Sequence, residues 1–140
     1  MWLFLVLFEM KLCLCVIKML RITRNALESA LMGAKNCYPN EFLGLFREKD
    51  GIIYELLLAP LSISDEHSAT FPVFYMPTDP TIVATFHSHP SYGVARPSNA
   101  DKDLFSRHYG RHFIASLPFV AQSTYAFDNR GERIEFEIID

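Results

Sequence analysis

Two histidines one residue apart, His87-Ser88-His89, are followed by an acid, Asp101. Both residue types ligate metals. The histidines close an apolar segment, residues 81–86, that reads as a strand of the buried kind. Side chains alternate along a strand, so His87 and His89 share one face. Two imidazoles on one face at a strand end can both reach one metal ion at ~2.0–2.1 Å. Alone, a His-x-His pair is more often two polar residues leaving a core strand. The sequence downstream shifts that balance. Arg96-Pro97-Ser98-Asn99-Ala100-Asp101 opens a helix after a short loop, and Asp101 falls in its first turn. Two His and one carboxylate make three protein ligands with one position open. An open position marks a catalytic zinc, whereas structural zinc is usually closed by four ligands, often Cys. Ser98 and Asp101 also fit a capping box, in which each side chain satisfies a free N–H. A hydroxyl can cap and still face the site. An aspartate cannot easily ligate and cap at once, so the two readings of Asp101 compete.

Elements on either side must position these groups. Residues 23–36 read as a helix, with Ala26, Leu27, Ala30, Leu31 and Ala34 on one apolar face. Thr23 or Asn25 can cap it, and Pro39 stops it running on. Residues 41–46 and 52–59 form a hairpin around Lys49-Asp50-Gly51. Residues 60–80 are rich in Ser, Thr and Pro and read as a long loop or irregular ribbon. Residues 98–109 fit a short helix ended by Gly110. Residues 112–117 are another strand, and 124–128 with 133–138 flank Asn129-Arg130-Gly131 as a final hairpin. The order of elements predicts an α/β fold: one domain with helices on a mixed, mostly antiparallel sheet.

The bulk numbers fit a single globular domain. The chain has 140 residues, 12 Phe and 6 Tyr, and a formal net charge of −3. Its basic residues form no stripe, which argues against nucleic acid as a partner. Cys13, Cys15 and Cys37 make an odd count without a disulfide framework, so a reducing, cytoplasmic compartment is expected. Residues 1–18 are strongly apolar but lack the charged start and cleavage site of a signal peptide. Glu9, Lys11 and Lys18 break the run that a membrane-spanning helix needs. Either translation begins at Met19 or the extension is real; the domain is expected over residues 19–140.

Glu41, His87-Ser88-His89-Pro90 and Ser98-Asn99-Ala100-Asp101 together resemble the JAMM motif of catalytic MPN-domain metalloproteases. These include deubiquitinating subunits of large complexes and compact archaeal and bacterial enzymes. The resemblance runs from about Leu20 to Asp140. Compact archaeal members are most similar, because the opening helix, Pro39-Asn40-Glu41-Phe42 and Arg96-Pro97-Ser98 have counterparts there. It implies an MPN (cytidine deaminase-like) domain. One spacing departs from the pattern: the gap from His89 to Asp101 is one residue longer than usual. Ser-x-x-Asp is intact, so the extra residue is expected within 91–95, where Gly93 absorbs it easily. Asp103 is a weaker ligand candidate, roughly 200° around the helix from Asp101.

The resemblance implies one zinc ion per chain on His87, His89 and Asp101. Zinc would lower the pKa of water toward ~7. Glu41 would be general base and acid; by residue type alone it reads as a surface charge. Ser98 would donate to the oxyanion. The implied reaction is hydrolysis of the amide bond after the diglycine tail of a ubiquitin-like protein, an archaeal modifier or a sulfur carrier. The tail would lie along a strand edge, with Phe71, Phe74 and Tyr75 of the 60–80 loop as a wall. The alternative is a non-catalytic MPN scaffold, but such domains typically lose motif residues that are all present here. A Ser-His-Asp hydrolase lacks the Gly-x-Ser-x-Gly elbow, and Ser88 points away from its flanking histidines. His67, His108 and His112 read as surface or edge residues.

Overall fold

The computed structural model describes residues 19–58, 63–64, 69–70, 78–107 and 110–140. The 1–18 segment, His67, His108, Phe71, Phe74 and Tyr75 lie outside the described residues. The described residues open with a strand absent from the sequence reading, β1 (Leu20–Thr23), and pass into helix α1 (Arg24–Cys37). Thr23 caps α1 by accepting the Ala26 N–H at 3.2 Å. The expected apolar face is the buried one: Ala26, Leu27, Ala30, Leu31 and Ala34. Strands β2 (Leu43–Lys49) and β3 (Ile52–Leu58) form the expected hairpin. Within residues 60–80, β4 (Ile63–Ser64) and β5 (Ala69–Thr70) pair with each other.

The long strand β6 (Ile82–Tyr92) carries both histidines and outlasts its expected end at Phe86. Helix α2 (Asn99–Arg107), β7 (Arg111–Leu117) and β8 (Thr124–Phe127) follow. The strand expected over 133–138 is broken at Glu135 into β9 (Arg133–Ile134) and β10 (Phe136–Ile139).

That break shapes the molecule. The eight-stranded sheet runs β10-β1-β3-β2-β6-β7-β8-β9, so two strands separated by one residue occupy its opposite ends. The sheet must therefore curl until its ends meet. Phe113 of β7 and Phe136 of β10 touch across the interior with ring centroids 5.3 Å apart. The pairings β1–β10, β1–β3 and β6–β7 are parallel; the other four are antiparallel.

One sheet face and α1 enclose the main core, which includes Phe42, Phe46, Phe86, Phe113 and Phe119. Edge-on contacts join Phe46 to Phe86 and Phe113, the arrangement aromatic quadrupoles favour. A smaller core of Ala95, Phe105, Ile114 and Phe127 holds α2. Phe105 is the one buried residue of that polar helix. Replacing Phe105 with Ala is expected to lower stability by ~3–5 kcal/mol, read as a shifted urea midpoint of the metal-free protein. An unchanged midpoint would show that α2 is held some other way. Among the described residues, no helix is long and apolar enough to cross a membrane.

Candidate metal centre

Register brings the site together. His87 of β6 lies between Leu43 of β2 and Ile114 of β7. His89 leaves the same face next to Ser116. Two residues of β6, Pro90 and Ser91, then go unmatched before Tyr92 pairs with Leu117. The irregularity thus starts inside the strand at Pro90 and runs into the 91–95 segment expected to absorb the extra residue. Gly93 follows at φ +109°, a conformation suited to glycine. Ser116 donates its hydroxyl to the Gly93 carbonyl at 2.6 Å and pins the turn to β7. The chain then reaches α2 with Asp101 aimed back at β6.

His87 Nε2 lies 2.9 Å from Asp101 Oδ1, and His89 Nε2 lies 3.2 Å from Oδ2. The three ligand atoms fall within 4.8 Å of one another. Two atoms each ~2.0–2.1 Å from a tetrahedral ion sit roughly 3.3 Å apart, so this spacing suits one small cation. The His87 side chain is 3% exposed, while His89 and Asp101 are 18% and 14% exposed, so the site opens on one side. Among the described residues, neither His87 ring nitrogen makes a hydrogen bond. The close approach of Nε2 to Asp101 is therefore not aligned as one. A buried imidazole nitrogen without a partner is costly, and a cation among these three residues relieves that cost at Nε2. Two nitrogens and a carboxylate oxygen are a donor set that zinc accepts. The residues present fit the metal.

Burial would raise the Asp101 pKa. The two imidazoles and the Ser98 N–H outweigh burial and hold the carboxyl far below the usual carboxylate range. Ser98 N–H donates to Asp101 Oδ2 at 2.6 Å, and Asp101 N–H donates to Ser98 Oγ at 3.1 Å. Ligating and capping were expected to compete at Asp101; the carboxylate that caps also faces the histidines. Oδ1 approaches His87, while Oδ2 takes the cap bond and lies near His89. Asp103 is exposed and pairs with Arg107 at 3.0 Å, so it takes no part in the cluster.

Glu41 precedes β2 and is half-buried. Its neighbour Phe42 is bonded to Ser88, between the two histidines. The structure corrects the reading of His112 as a surface or edge residue. It is fully buried, with Nδ1 2.8 Å from Thr85 Oγ1. Its ring stacks on Phe105 at 3.9 Å, and Phe105 in turn lies 6.1 Å from His87. His112 and Phe105 thus form the floor under the helix that presents Asp101. The available signal was one large aromatic on a short polar helix, which needs a seat.

No family model matches the chain. A curated relative from Haloferax volcanii, described as a probable metalloprotease, is 36% identical over 130 residues, covering 85% of this chain and 79% of its own. The structure of a JAB1/MPN domain protein from Archaeoglobus fulgidus superposes with a TM-score of 0.68 at 29% identity, over 86% of this chain and 99% of that one. A second structure, described as JAMM, a metalloprotease-like zinc site in the proteasome and signalosome, gives 0.68 at 28%, over 87% and 99%. The curled sheet with its two helices is a single α/β MPN domain. The chain belongs to the JAMM metalloproteases of the JAB1/MPN family.

Proposed function

We propose that this chain is a zinc isopeptidase that hydrolyses the amide bond after the diglycine tail of a ubiquitin-like protein. The observation that carries the reading is the convergence of His87, His89 and Asp101 at one partly open strand end. These three residues would hold the metal. A zinc ion there would supply Lewis acidity, toward a bound water and toward the carbonyl of the scissile amide. Glu41 takes the proton of the attacking water and returns it to the leaving amine. Ser98 serves the oxyanion. Its oxygen accepts the cap bond from Asp101, which leaves the hydroxyl hydrogen free to donate.

The substrate class rests on the resemblance to JAMM enzymes, and one feature suits it. Only an edge of the site is exposed, and a tail of two glycines approaches with no side chain to accommodate. The odd cysteine count and the free Cys37 favour a reducing, cytoplasmic setting. The catalytic unit is residues 19–140.

The test is bound zinc together with cleavage of a diglycine-tailed fusion. Stoichiometric zinc and cleavage that stops on chelation and returns with zinc support the proposal. Zinc without cleavage of any tailed fusion would favour a scaffold, and a protein that binds no zinc would end the enzyme reading. Ser98→Ala is expected to lower kcat by ~10²–10³ with zinc retained, measured as steady-state kinetics beside metal content.

A further inference from the structure

Ser88 carries no role in the chemistry above, and its side chain points away from the face of His87 and His89. It is nevertheless fully buried, with its N–H and its hydroxyl both committed to one residue. Its N–H donates to the Phe42 carbonyl at 3.0 Å, and its Oγ accepts the Phe42 N–H at 2.8 Å. In a regular hydrogen-bonded antiparallel pair, the return bond goes to the partner's carbonyl. Here the hydroxyl takes it. Regular β2 pairing begins one residue later, with Leu43 opposite His87. The hydroxyl therefore extends the pairing of β6 to a residue just outside the ladder.

That residue is fixed on its other side too. The Phe42 ring packs against Phe86 with centroids 6.0 Å apart. Helix α1 passes so close that a Cβ on Gly33 would meet the ring at 2.6 Å. Phe42 is held by its ring and by both backbone groups, and Glu41 is bonded directly to it. With Phe42 opposite Ser88, the chain direction carries Glu41 toward His89.

We propose that Ser88 is a positioning residue for Glu41: it clamps Phe42 and so fixes the base against the strand that presents the two histidines. This rests on the reading of Glu41 as the general base. One strand residue then sets both sides of the site. A simple core serine would stabilise the fold without any energetic link to Glu41, and that difference can be measured.

Four proteins are compared: wild type, Ser88→Ala, Glu41→Gln and the double variant. Ser88→Ala is expected to keep stoichiometric zinc and an unchanged KM, and to lose ~10–100-fold in kcat, the usual cost of losing a supporting hydrogen bond at such a site. In the Glu41→Gln background it should cost less than ~2-fold more, because coupled residues are not additive. Independently of activity, the Phe42 amide in metal-free protein should exchange its hydrogen at least ~10-fold faster in Ser88→Ala than in wild type. Equal losses in both backgrounds would overturn the proposal, as would loss of zinc or an unchanged Phe42 exchange rate. Full cleavage by Glu41→Gln would instead sink the general-base reading, and the Ser88 role with it. Should Ser88→Ala fail to fold, Ser88→Cys keeps the shape with a weak sulfur acceptor and is judged by the same outcomes.

Discussion

Glu41→Gln leaves zinc bound and lowers cleavage of a diglycine-tailed fusion by ~10²–10⁴-fold, the range for losing a positioned acid–base group. Gln matches Glu in size and still accepts hydrogen bonds, so the start of β2 keeps its contacts. It cannot take up a proton and pass it on. The loss should fall on kcat and spare KM, because the proton moves only during the chemical steps, at water attack and at departure of the amine, and not on substrate binding. Glu41 is not among the residues that gather as ligands, which is why metal content should not change. Zinc-loaded Glu41→Gln that cleaves as fast as wild type would remove Glu41 from the mechanism and leave the proton to another group.

The parts of this molecule that were legible in the sequence are those set by local periodicity. The apolar face of α1 follows from its 3.6-residue repeat, and the shared face of His87 and His89 follows from strand alternation. The positions that resisted reading are set by distant pairing. β1 has four residues and lies between β3 and β10, so nothing in its own short stretch announces a strand paired on both sides. The break at Glu135 is where the chain passes from one end of the sheet to the other; the alternation Ile134, Phe136, Ile138 continues smoothly across it. His112 opens an apolar strand and looked like an edge residue, but the buried Thr85 hydroxyl and the Phe105 ring both come to it from other elements. The competition expected at Asp101 was a matter of geometry. A carboxylate has two oxygens, and here they point in different directions.

That division of labour makes Asp101 separable by substitution. Asp101→Asn keeps an oxygen for the Ser98 N–H and should preserve the start of α2. It removes the charge that a cation needs. Zinc affinity should fall by more than the ~10–100-fold that loss of a merely supporting hydrogen bond costs, and cleavage should disappear with it. Asp101→Ala loses the cap as well, at about 0.5–2 kcal/mol of further stability. Equilibrium zinc titration and urea unfolding separate the two losses. In metal-free protein the Asp101 carboxyl is held below its ordinary range. Its stabilising contribution is thus present above the unfolded value of ~3.9 and is lost as pH falls through the lower folded value. The margin of metal-free wild type over Asp101→Asn should therefore hold near neutral pH and shrink only below about pH 4. Asp101→Ala that keeps tightly bound zinc would refute this ligand set. Asp103 could not easily replace it, because it is exposed and tied to Arg107 one turn along the helix.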